Sequence, residues 1–254
     1  MSGHLAVVGI GPGDVRWLTA EAQDAIAAAE ALYGYAPYLE RLPAFSGQAR
    51  HASDNREENA RAAAALRHAA AGARVAIISG GDPGVFAMAA AVCAEIERGP
   101  QDWKTVELTV VPGITAMLAV AARVGAPLGH DFCALSLSDN LKPWEIIARR
   151  LEAAAQAGLV LALYNPASRA RPWQLGAAFE SLRKILPAST VVVFGRAVGR
   201  SEESVFVTTL GAAEAEMADM ATLIIVGSCE TRVVPRPGRS PLVYTPRALE
   251  GVSA

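Results

Sequence analysis

The run RVAIISGGDPGVF occupies residues 74–86, and its reading decides the fold. Val75 to Ile78 is apolar without two-residue alternation, the pattern of a strand covered on both faces. Gly80-Gly81 and Asp82-Pro83 then break the strand, and an alanine-rich stretch at 85–98 has helical spacing. The same strand–turn–helix unit recurs on either side. HLAVVGI (4–10) leads into GIGPGD, Gly9 to Asp14, and a helix from Thr19 to Ala31. KTVELTVV (104–111) leads into VPGITA, Val111 to Ala116, and a helix ending near Arg123. Between them, Asp54 and Glu57 form a D-x-x-E helix start for a helix that Gly72 stops. Strands alternating with helices predict an α/β fold with a largely parallel sheet.

The segment VGAPLGHD (124–131) interrupts this pattern, which then restarts. FCALSLS (132–138), LVLALYN (159–165), 190–195, 204–208 and ATLIIVG (221–227) are the expected strands. Helices are expected after Pro143 and Pro172 and over 211–218, with a surface arm from Arg232. The whole predicts two α/β domains, 1–129 and 130–254.

Composition narrows the function. Hydrophobic residues make up 52% and charged residues 19%, enough to build cores and too apolar for a disordered chain. The 52 alanines suit helices that lie close on a sheet. A net charge of -2 without a basic stripe gives no support to a nucleic-acid partner. Twenty of the 23 basic residues are arginines, either a compositional bias or a supply of bidentate donors for carboxylates or phosphates. Cys93, Cys133 and Cys229 form neither a disulfide framework nor a zinc motif, and the four histidines lack ligand spacing, so no metal is expected. The N-terminus lacks a basic region and no apolar run reaches membrane length; a soluble, cytoplasmic protein is expected.

Three glycine turns at strand carboxyl ends would line one rim of a ligand site. Each also has a plainer reading, with GIGPGD as a tight turn and Asp82 as a helix cap. GIGPGD departs from the dinucleotide fingerprint, because Asp14 stands where the third glycine belongs and Pro12 has no N–H to offer a pyrophosphate. A nicotinamide oxidoreductase is therefore the weaker alternative. The second half contributes YNPASRAR (164–171) and GRAVGRSEE (195–203), turns that carry Arg169, Arg171, Arg196 and Arg200 as candidate partners of an anionic substrate. No nucleophile elbow, P-loop or zinc-protease motif occurs, which favours group transfer by positioning of two small molecules.

In order and spacing, GIGPGD, SGGDPGVF, VPGITA and TLIIVG resemble the tetrapyrrole methylases, enzymes of corrin and sirohaem synthesis that use S-adenosylmethionine. SLSDNLKPWEII (136–147), YNPASRAR and GRAVGRSEE further resemble the members that methylate C17 of precorrin-3B with ring contraction to precorrin-4 in cobalamin biosynthesis. Asp54-Asn55 departs from the Gly-Met usual there. The resemblance implies two α/β domains with the cofactor in the cleft between them, and a homodimer. It further implies that Gly80, Gly81 and Asp82, with Val85 and Phe86, line the methionine part of the cofactor and that Thr115 and Ala116 contact it. Asn165, Ala197 and Thr222 would lie near the adenosine, and Pro12 would face cofactor and substrate. The arginines would hold the carboxylates of an anionic tetrapyrrole. Methylation at another corrin position, or of the cobalt-containing analogue cobalt-factor III, stays open, as does a carrier without turnover. Asp82, His130 and Asp139 are candidate proton carriers that the sequence does not separate.

Overall fold

The computed structural model describes residues 3–54, 56–168 and 172–248. The chain divides into two compact units, Met1–Ala116 and Met117–Ala254, so residues 117–129 group with the second half rather than the first.

The first unit holds a five-stranded sheet of β1 (His4–Gly9), β2 (Ala31–Tyr35), β3 (Ala49–Ser53), β4 (Arg74–Ser79) and β5 (Glu107–Val111), ordered β3-β2-β4-β1-β5. Every pairing is parallel. Among the described residues, the α-helices of this unit are α1 (Ala20–Ala28), α2 (Ala36–Leu39), α3 (Glu58–Ala70) and α4 (Met88–Arg98). Both faces of the sheet are covered, which explains the unbroken apolar runs. Leu5, Val7, Val75 and Ile77 pack on one face with Ala62, Ala65, Leu66 and Ala69 of α3. Ala6, Val8, Ala76 and Ile78 pack on the other with Ala22 and Ile26 of α1. Alternate residues thus serve opposite cores.

Two strands here, β2 and β3, have no counterpart in the sequence reading. The first helix ends at Ala28, capped at its start by the Thr19 hydroxyl, and the chain turns into β2 where a continuing helix is expected. β3 is the polar edge strand ARHAS, and it lacks the apolar signal of its neighbours. The D-x-x-E motif is half realised: Glu57 accepts from the Asp54 N–H at 3.0 Å, but the helix begins only at Glu58.

The second unit contains α5 (Ala116–Val124) apart from its first residue, β6 (Gly125–Ala126), β7 (Phe132–Ser136), α6 (Trp144–Gln156), β8 (Val160–Tyr164), α7 (Gln174–Arg183), β9 (Val191–Arg196), β10 (Ser204–Thr209), β11 (Thr222–Val226), β12 (Arg232–Arg236) and β13 (Arg239–Tyr244). Its main sheet runs β10-β9-β11-β8-β7, and only β7–β8 is parallel. The parallel pattern of the first half therefore does not carry over. The β9–β10 link is too short for a crossover and makes a hairpin. α6 and α7 cover one face through Leu151, Leu175, Phe179 and Leu182. On the other face Gly195 leaves room for Val120 of α5; a Cβ there would fall 2.2 Å from Val120 Cγ2. The helix expected over 211–218 is only a single 3₁₀ turn, Ala215–Met217, without a side-chain cap. The expected arm after Arg232 is a β12–β13 hairpin whose second strand pairs with β6 in a third sheet.

One ion pair braces the turn after β9. Arg123 donates to both carboxylate oxygens of Glu203, at 2.5 and 3.1 Å, and Glu203 also accepts from the Gly199 N–H at 2.7 Å. The Arg123 guanidinium, more than any other neighbour, holds the Glu203 carboxyl below its usual pKa. A carboxylate lowered on folding contributes stability above the ordinary glutamate range near 4.3 and loses it as pH falls through the folded value. We therefore expect Glu203→Gln to be less stable than the parent at pH 7, by about 1 kcal/mol, with the gap closing below pH 4. Urea unfolding across that range measures it; a gap independent of pH would contradict the assignment.

Candidate functional site

The three glycine turns of the first unit meet at the carboxyl ends of β1, β4 and β5. Gly11 and Gly81 exchange both backbone hydrogen bonds, at 3.1 and 2.9 Å. Gly9, Gly81 and Gly113 pack backbone to backbone: a Cβ on Gly113 would lie 2.3 Å from the Gly81 carbonyl oxygen and 2.8 Å from the Gly9 carbonyl carbon. Glycine is required here by close approach. Gly81 itself has φ +66°, a left-handed conformation costly for other residues.

Asp82 completes the lock. Its Oδ1 accepts from the Gly84 N–H at 2.8 Å and its Oδ2 from the Gly113 N–H at 3.1 Å. One carboxylate thus caps its own turn and ties it to the third. Beyond it, the half-buried Val85 precedes Phe86, which is 49% exposed with φ 52°. Thr115 is buried and Ala116 half-buried, and the Cα of Thr115 is within 3.7 Å of where a Gly81 Cβ would point. Pro12 is half-buried, and its carbonyl accepts from Arg41 Nη1 at 3.3 Å. Arg41 lies 5.0 Å above the ring of Tyr38, and that ring abuts Gly80. Tyr38 and Arg41 therefore belong to this rim, although sequence reasoning did not find them. They lie in and after a short helix that follows β2, and only the placement of β2 beside β4 brings them to the glycines.

In the second unit Asn165, Ala197 and Thr222 come together from three neighbouring strands. Thr222 pairs with Arg196, the residue before Ala197, and the Ala197 N–H donates to the Ala221 carbonyl at 2.9 Å. Leu163 pairs with Ile224, and Asn165 follows the end of β8 on the side where β11 begins. Asn165 (φ 53°) and Ala197 (φ 48°) are left-handed, as is Phe86 in the first unit, and the described residues contain no other non-glycine positions of this kind. Such strain of about 1–3 kcal/mol per residue collects where function demands a particular backbone. Asn165 is exposed, with Nδ2 donating to Ser136 Oγ at 2.9 Å; Ala197 and Thr222 are each 5% exposed.

The arginines divide. Arg196 Nε donates to Asp219 Oδ2 at 2.8 Å, and Asp219 Oδ1 accepts from the Ala221 N–H and the Thr222 hydroxyl. Burial opposes ionisation of Asp219, but the Thr222 and Arg196 hydrogen bonds outweigh it and lower its pKa. Arg196 thus stands in an internal network. Arg200 is exposed one turn later, its N–H on the Ala197 carbonyl. Arg169 and Arg171 lie outside the described residues. Among the proton-carrier candidates, both Asp82 oxygens are committed to backbone N–H groups. His130 precedes β7, at the end of the sheet opposite Asn165. No group of histidine, cysteine and acidic side chains among the described residues could hold a metal ion.

Three glycine loops locked at the ends of a parallel sheet, and left-handed backbone at the ends of a mixed one, mark an α/β protein with constrained turns at its strand ends. The profile of the Tetrapyrrole (Corrin/Porphyrin) Methylases matches residues 4–214, and the chain belongs to that family. It is 64% identical over 253 residues to a precorrin-3B C(17)-methyltransferase of Sinorhizobium sp, covering all of both chains. Among solved structures it resembles the methyltransferase CobJ, with a TM-score of 0.91 and 47% identity over 96% of this chain and 100% of that one. A uroporphyrin-III C-methyltransferase from Thermus thermophilus, complexed with S-adenyl homocysteine, shares the fold with a TM-score of 0.66 at 23% identity, over 89% of this chain and 97% of that one.

Two substitutions test the backbone constraints. Gly113→Ala drives a methyl into the Gly81 carbonyl and is expected to lower stability by about 2 kcal/mol. Ala197→Gly relieves a left-handed alanine and is expected to raise it by about 1 kcal/mol. Denaturant midpoints at constant slope read both; stabilisation by the first or loss from the second would refute the geometry.

Proposed function

We propose that this chain is an S-adenosylmethionine-dependent methyltransferase that methylates C17 of precorrin-3B, with ring contraction to precorrin-4, in cobalamin biosynthesis. The observation that carries this reading is the end-to-end 64% identity with a precorrin-3B C(17)-methyltransferase. When bound, the cofactor supplies an electrophilic methyl group on a sulfonium. The residues present fit such a ligand: Gly81, Phe86, Asn165 and Ala197 all hold left-handed backbone at positions expected to meet it.

Gly80, Gly81, Asp82, Val85, Phe86, Thr115 and Ala116 would hold its methionine portion, and Asn165, Ala197 and Thr222 its adenosine, with Pro12 facing cofactor and substrate. Because the Asp82 carboxylate and the Gly81 N–H and C=O are spent inside the protein, these residues act by shaping the backbone. Methyl transfer needs donor and acceptor in line at about 3–3.5 Å, and rigid turns suit that demand. Arg169, Arg171 and Arg200 would meet substrate carboxylates; Arg196 would share its guanidinium with Asp219. A homodimer in the cytoplasm is the arrangement we expect. No helix among the described residues is long and apolar enough to cross a membrane.

The nicotinamide alternative fares worse. The Gly11 N–H is taken by Gly81, Pro12 has none, and a 3₁₀ turn at Val15–Trp17 separates the loop from α1. That loop has no helix N-terminus for a pyrophosphate. Calorimetric titration should give micromolar binding of S-adenosylhomocysteine and none of NAD. Mass spectrometry after turnover with precorrin-3B should find one added methyl at C17. Methylation of cobalt-factor III alone would reassign the substrate, and NAD binding alone would sink the reading.

A further inference from the structure

Alkylation by a sulfonium has a fixed charge balance. The S–CH₃ bond breaks with its electron pair left on sulfur, and a pair from the substrate carbon forms the new C–C bond. The substrate thereby gains one positive charge, which it sheds by releasing one proton. Some group must take that proton.

In the second unit, the loop after β7 presents a carboxylate in an organised setting. Ser136, 6% exposed, accepts at Oγ from Asn165 Nδ2 at 2.9 Å and from the Ser138 N–H at 3.3 Å. Three residues beyond Ser136 stands Asp139, half-buried, whose Oδ1 accepts from Gln174 Nε2 at 3.1 Å. Gln174 opens α7 and is only 3% exposed. Its other amide atom, Oε1, is buried without a hydrogen-bond partner among the described residues, and so is Ser168 Oγ on the approach to the same helix. Buried acceptors are rarely left unsatisfied, because the lost water is not replaced. Since Nε2 is committed to the carboxylate, Oε1 is the atom that awaits a donor. The pairing of a base with a group that orients it is a familiar catalytic unit.

We propose that Asp139 is the base that takes the proton released on methylation, that Gln174 is its positioning residue, and that Gln174 Oε1 accepts a hydrogen bond from an N–H or O–H of the macrocycle. This rests on the methyltransferase reading above. It favours one of three candidates that sequence leaves equal: Asp82 bridges two glycine turns, His130 lies at the end of the sheet opposite Asn165, and Asp139 follows the end of β7, where Ser136 touches Asn165.

Single-turnover methyl transfer to precorrin-3B tests it, with wild type as the control. Asp139→Ala should lose about 100- to 10,000-fold in rate, the range for a lost general base. Its affinity for S-adenosylhomocysteine should stay within about twofold, and added formate should restore part of the rate. Asp139→Asn, nearly the same shape, should lose as much and gain nothing from formate, which guards against a folding artefact. Gln174→Met should lower kcat more than it raises KM. In the Asp139→Ala background it should cost nothing further in kcat, since two members of one unit do not add, and only its effect on KM should remain. Near wild-type turnover by Asp139→Asn, or kcat losses that multiply in the double variant, would overturn the assignment. A wild-type protein that methylates no tetrapyrrole would instead overturn the methyltransferase reading, and this inference with it.

Discussion

The first unit depends on one carboxylate. Asp82 spans two turns that arrive from different strands, and its two hydrogen bonds hold the β4 and β5 turns at a separation that only glycine backbones permit. An ordinary helix cap satisfies one turn, whereas this carboxylate satisfies backbone N–H groups of two. The Gly11–Gly81 exchange then fixes the β1 turn to the same point. Once joined, the three turns hold one another through backbone and carboxylate hydrogen bonds. Its shape is inherited from the parallel sheet below, whose two-sided core does not yield easily.

The second unit reaches rigidity by other means. Its sheet is mostly antiparallel, so its strand ends alternate in direction, and β8 and β9 deliver their carboxyl ends beside the amino end of β11. The backbone there is bent by side-chain ties: Glu203 on Gly199, Asp219 on Ala221 and Thr222, Ser136 on Asn165. Two left-handed residues persist within this web without being glycine. Their strain is carried by the surrounding bonds, which is how an unfavourable conformation survives in a folded chain.

Much of this was legible in sequence, and the limits are physical. β4 runs over 74–79 as its apolar run predicts, because a strand buried on both faces writes an unambiguous signal. β3 writes none, since an edge strand half in solvent needs no apolar residues. The glycine turns were visible as turns, but their mutual contact was not; that depends on strand order, which places β1 between β4 and β5. Arg41 and Tyr38 are hidden for the same reason. Asn165, Ala197 and Thr222 were reached through family likeness alone, because the register that aligns them is antiparallel where the pattern suggested parallel. Alanine-rich composition misled at 211–218, where helix propensity was present without a cap to start the helix.

The third sheet sets an order of events in the making of the molecule. β13 pairs with Gly125 and Ala126, and Thr245 donates from its N–H to the Ala126 carbonyl and from its hydroxyl to the Pro127 carbonyl. Residues some 120 apart therefore close one small sheet, a long loop to fold across. Every strand of the first unit, by contrast, has been made once Val111 is synthesised. On the ribosome the glycine rim has all its strands while the second unit still waits for its final hairpin. The amino-terminal unit therefore has its full set of strands before the pairing that closes the third sheet can form.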